Sequence, residues 1–106
     1  MKVPILSTVF YVALLASSSA ANALTAERAQ VLIDTLRQDC GSCHGMTLKG
    51  GLGPALTPEA LRDKPLEFIT RTILDGRPNT AMPPWRPLLT NEEAEWLARQ
   101  LKEGVK

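Results

Sequence analysis

Cys40-Gly41-Ser42-Cys43-His44 decides how this chain is read. Two thiols three positions apart, with a histidine directly after the second, form the pattern of a covalent haem attachment site. The spacing has a chemical reason. Haem carries two vinyl groups on one edge, and two cysteines on one turn of backbone can each form a thioether to one of them. The next residue then presents its imidazole to the iron from the same side. The expected cofactor is one haem c per chain, attached through Cys40 and Cys43, with His44 as the proximal iron ligand. Such a group brings the chemistry, and the polypeptide sets its potential and access.

The pair has blander meanings. Zinc needs four ligands, and the chain holds two cysteines and one histidine in all. A thioredoxin-like redox pair wants a preceding strand and a βαβ frame, whereas a helical pattern leads into Cys40. A plain disulfide in a small exported domain stays open as the alternative.

The chain of 106 residues allows one domain. Residues 1–23 read as a cleaved secretory signal. Lys2 supplies the positive start, Ile5 to Ala16 is apolar apart from Ser7 and Thr8, and Ala21-Asn22-Ala23 is an A-x-A cleavage site. The apolar run falls short of the ~20 residues a membrane span needs. The mature domain is therefore expected over residues 24–106, in the periplasm, without a membrane span and as a monomer. Lys2 aside, basic and acidic side chains are equal in number, so no global field points to nucleic acid or an anionic membrane. So short a domain sits near the lower limit for a self-sufficient core, and a large apolar cofactor would supply the missing volume.

The mature chain reads as helices joined by glycine and proline segments. Thr25 can cap a first helix to about Asp39, with Ala29, Ile33 and Leu36 on one stripe beside Leu32. Gly45, Gly50, Gly51 and Gly53-Pro54 mark a loop close to the attachment site. Thr57-Pro58 opens a short helix to about Arg62. Pro65 starts another, with Leu66, Ile69 and Ile73 on one face and Gly76 as its stop. Four prolines between 78 and 87 exclude a helix there. Thr90-Asn91-Glu92-Glu93 fits a capping box, with Leu89 and Ala94 as its hydrophobic staple, opening a last helix that ends at Gly104. With no convincing strand, the expected fold class is all-α.

The second face of the iron separates an electron carrier from a small-molecule binder. His44 is the sole histidine. Met46 follows it by two residues and cannot readily pass around the ring. Met82, in Ala81-Met82-Pro83-Pro84, lies past the helices that must wrap the haem, and the prolines confine its backbone to extended conformations. Met82 is the candidate distal ligand, an ordinary core methionine being the alternative. A thioether favours Fe(II), giving a positive potential on the order of +0.1 to +0.4 V. The Pro54 carbonyl is a candidate to hold the His44 ring. Arg77, Trp85 and Arg86, with Arg71, are candidate partners of the haem propionates.

Together these residues resemble the class I c-type cytochromes over essentially all of residues 24–106. The resemblance implies a small cytochrome c fold, about four helices wrapped around one covalently attached haem. It implies attachment at Cys40 and Cys43, His44 proximal, Met82 distal and the Pro54 carbonyl on the histidine. The family's glycine at the crossing of first and last helices is absent, leaving Ala29 or Thr35, and its usual tyrosine in the last helix is replaced by Trp96. The stretches Cys40–Pro54 and Gly76–Trp85 are similar to the small periplasmic cytochromes encoded with dissimilatory nitrite reductase in denitrifying bacteria. That narrower resemblance implies electron delivery to the reductase; a carrier of this kind would dock its redox partner transiently through a patch near Lys49, Arg77 and Arg86. A role in maturing the reductase's specialised haem is the alternative, and an open-site small-molecule binder a third.

Overall fold

The computed structural model describes Lys2 and residues 24–106; the expected signal segment lies outside the described residues. Helical backbone runs without a break from Ala26 to His44. It comprises α1 (Ala26–Thr35), one wide π turn (Leu36–Cys40) and α2 (Gly41–His44). Then come α3 (Pro58–Leu61), α4 (Leu66–Asp75) and α5 (Asn91–Glu103), with no strand among the described residues. Counting the first three segments as one, four helices form an all-α fold.

The first helix thus continues past Asp39, where the sequence reading ended it. Its inner residues also differ from the expected stripe: Leu32 and Leu36 are fully buried, while Ala29 and Ile33 are half-buried. The buried face continues in four-residue steps through Cys40, packed against the core, to His44. In a regular α-helix each such step overshoots a full turn by about 40°. A wider turn advances less per residue and takes back part of that drift. The π turn therefore keeps Cys40 and His44 in line with Leu32 and Leu36.

Ile69, Ile73 and Leu74 of α4 pack against Ala94, Leu97, Ala98 and Leu101 of α5, joined by Leu32, Leu36, Leu48, Leu61 and Leu89 in one core. The capping box at α5 is present. Thr90 Oγ1 accepts from Glu93 N at 3.1 Å, and Glu93 Oε1 accepts from Thr90 N at 3.0 Å. Lys102 Nζ donates to the carbonyls of Leu61, Arg62 and Lys64, fastening α3 to α5.

Glu93 has a second task. Its other carboxylate oxygen accepts from Arg28 Nε, pinning α1 to the start of α5. The Arg28 bond, then the Thr90 backbone N–H, hold the Glu93 carboxyl below its ordinary value of 4.5. A lowered folded-state value means stability that is present above the unfolded value and is lost as pH falls through the folded one. The thermal midpoint of the native protein should therefore drop on acidification from pH 4.5 downward. Glu93→Gln should lower the midpoint at pH 7 and flatten this limb; parallel melting curves for the two proteins across that range would refute the assignment.

Candidate haem site

Cys40, Cys43 and His44 stand at i, i+3 and i+4 on helical backbone, so all three share one face. His44 is buried at 9 % exposure, and both thiols are free and half-buried. Before attachment, burial, with help from the Asp39 charge, pushes the Cys40 thiol up to about 11.

The chain reverses at Gly45 and comes back over the end of α2. Gly50 N donates to His44 O at 2.8 Å and Gly53 N to Cys43 O at 2.7 Å, so the loop satisfies carbonyls that the helix end leaves open. Leu48 anchors it in the core, and Leu56 N returns to Leu48 O at 2.8 Å. This path brings the Pro54 carbonyl to 2.6 Å from His44 Nδ1. A carbonyl can only accept, so Nδ1 donates its proton to Pro54 and Nε2 is the nitrogen left for a metal. Gly53 lies directly against the same ring. A Cβ there would sit 2.8 Å from Cε1 and Nδ1 and 3.3 Å from Nε2.

Met82 is half-buried in the proline segment. Its amide donates to Thr80 Oγ1 at 3.3 Å, and its carbonyl accepts from Arg77 N at 3.2 Å. Trp85 is half-buried against the core, and its amide donates to Ile73 O at 3.1 Å. Arg86 is engaged elsewhere: its guanidinium holds Asp75 Oδ1 at 2.7 and 2.9 Å and Asn91 Oδ1 at 3.2 Å. Arg77 is exposed, and Arg71 faces Glu67 at 3.9 Å on the surface of α4. Met46 lies at the surface, 67 % exposed.

The donor set fits haem c. Two free thiols share a face with an imidazole whose Nδ1–H is taken by a backbone carbonyl, and Nε2 has no hydrogen-bond partner among the described residues. That is the tautomer an axial iron ligand requires, with its carbonyl support already in place. Residues 25–99 match the family profile described as cytochrome c oxidase, cbb3-type, subunit III. The chain belongs to this family of c-type cytochromes.

Its cofactor is therefore haem c, covalently bound. A relative named cytochrome c55X from Pseudomonas aeruginosa is 60 % identical to this cytochrome over 79 residues, 74 % of this chain and 66 % of that protein. The chain thus spans about two thirds of that relative's length. The solved structure of a c-type cytochrome NirC is 58 % identical with a TM-score of 0.75, covering 76 % of this chain and 95 % of that one. Dihydro-heme d1 dehydrogenase NirN in complex with DHE matches at 36 % identity and a TM-score of 0.60, over 65 % of this cytochrome but only 15 % of that enzyme.

Sequence reasoning missed the Gly53 contact and the Arg28–Glu93 pin. A glycine directly before Pro54 was a visible sign of close approach, but nothing local named His44 as the group approached. Arg28 and Glu93 are 65 positions apart, and no spacing rule links them.

Proposed function

We propose that this cytochrome is an exported carrier of single electrons, working in the periplasm after removal of residues 1–23, with nitrite reductase or a related denitrification protein as its partner. Cys40 and Cys43 would hold the haem through thioethers, and His44 Nε2 and the Met82 sulfur would be the ligands of its iron. When bound, the haem supplies the one-electron couple. The polypeptide does the rest. The Pro54 carbonyl fixes the imidazole plane, and the proline-braced segment presents the thioether. The Trp85 indole N–H and Arg77 remain the propionate candidates; Arg86, held by Asp75 and Asn91, serves first to seat its own loop.

The observation that carries this reading is the His44–Pro54 bond beside two free thiols on one helical face. The similarity to NirC supports the denitrification setting. Material exported from cells competent for cytochrome assembly should have the mass of residues 24–106 plus one haem. Once reduced, it should pass electrons to nitrite reductase faster than it reacts with carbon monoxide. Colourless protein with the thiols joined to each other would refute the haem assignment.

A second reading has its own support. Part of dihydro-heme d1 dehydrogenase resembles this chain, which suits a carrier that accepts electrons during maturation of a specialised haem. A strain lacking the gene separates the two. Complete reductase haem with slowed nitrite turnover supports delivery to the reductase, and incompletely processed haem supports maturation.

A further inference from the structure

Gly76 ends α4 at the place where the Met82 segment crosses that helix. A Cβ on residue 76 would lie 2.6 Å from Met82 O, 2.7 Å from the Pro83 carbonyl carbon and 2.8 Å from Pro84 N. Real Cβ atoms essentially never come within 3.0 Å of such neighbours. All three neighbours are backbone atoms, so no rotamer change relieves the contact. The conformation, φ +66° and ψ −165°, also belongs to glycine.

The backbone that would have to move is held on several sides. Arg77 N donates to Met82 O at 3.2 Å, closing the loop on itself. Trp85 N donates to Ile73 O at 3.1 Å and Arg86 N to Leu74 O at 3.0 Å. Those two acceptors belong to the last turn of α4, whose carbonyls have no partner within the helix. Ile73 and Leu74 are themselves buried in the core shared with α5. Outside, the Arg86 guanidinium spans Asp75 and Asn91.

We propose that Gly76 is a positioning residue for the Met82 sulfur: its bare backbone lets peptides 82–84 seat directly on the end of α4, and this clamp sets where the thioether stands relative to His44. The proposal rests on the reading of Met82 as distal ligand.

The test uses the haem-loaded protein and three variants, Gly76→Ala, Gly104→Ala and Met82→Ala. Gly104 has φ +94°, but a Cβ there would meet only Pro58 Cγ at 3.5 Å, so it shares the backbone strain without the collision. Gly76→Ala should lose the weak red charge-transfer band of the oxidised methionine-ligated form, bind carbon monoxide when reduced, and show a lowered reduction potential. Gly104→Ala should keep the native spectrum. A native band and potential in Gly76→Ala, when Met82→Ala loses both, would overturn the role of Gly76. Persistence of the band in Met82→Ala would overturn the ligand reading itself. If Gly76→Ala does not accumulate as folded holoprotein, Arg86→Gln loosens the clamp from outside. Its band should then vanish on heating before helical circular dichroism is lost, and coincident loss overturns the clamp.

Discussion

Met82→Ala should abolish the red charge-transfer band of the oxidised protein and lower the reduction potential on the order of 0.2 V, a fraction of the ~0.8 V that axial ligands set across haem proteins. The argument is one of supply. His44 is the sole histidine and occupies the face of its own attachment motif. Met46 is at the surface, two residues from His44. Met82 is the other methionine of residues 24–106, half-buried and fixed through its amide and carbonyl to Thr80 and Arg77. On the reading of Met82 as distal ligand, truncation removes the sulfur that would face the iron, so carbon monoxide should bind the reduced variant rapidly. Met46→Ala should retain the native spectrum and potential. If the band persists in Met82→Ala and is lost in Met46→Ala, the ligand has been assigned to the wrong methionine.

Gly53→Ala should lower unfolding stability by about 1–3 kcal/mol, the usual cost of an added carbon in a packed site, and shift the potential as well. The added carbon would lie 2.8 Å from two atoms of the His44 ring. Neither side can retreat easily. Gly53 N is bonded to Cys43 O at 2.7 Å, and the ring donates to the carbonyl of the very next residue, Pro54, at 2.6 Å. Pushing the ring away stretches that bond, which orients the imidazole and raises its basicity. A purely structural role would change the denaturation midpoint alone. Titrating both stability and potential separates the two, and a variant indistinguishable from the native protein in both would show that the ring does not lie where Gly53 restrains it.

Much of this was legible in the chain. Thr25, Thr57-Pro58 and Thr90 through Glu93 announced helix starts, because capping is a local contest between a side chain and the first free amides. Ile69, Ile73, Leu97 and Leu101 announced inner faces through their spacing. Cys40, Cys43 and His44 announced the cofactor, since attachment to one haem edge confines them to one turn. The end of the first helix was misplaced because no cap or breaker separates Asp39 from Cys40, and the helix simply continues through the motif.

The order of residues alone determined an all-α chain and the attachment motif, and left Met82 as the candidate to oppose His44. Only the folded chain decided how those pieces are held. Gly53 against the imidazole, Gly76 beneath the Met82 carbonyl and Glu93 against Arg28 join residues from different elements. Periodicity and capping act within a turn or two of helix. The contacts that aim a ligand depend on where separate helices come to rest, which is settled by packing of the common core.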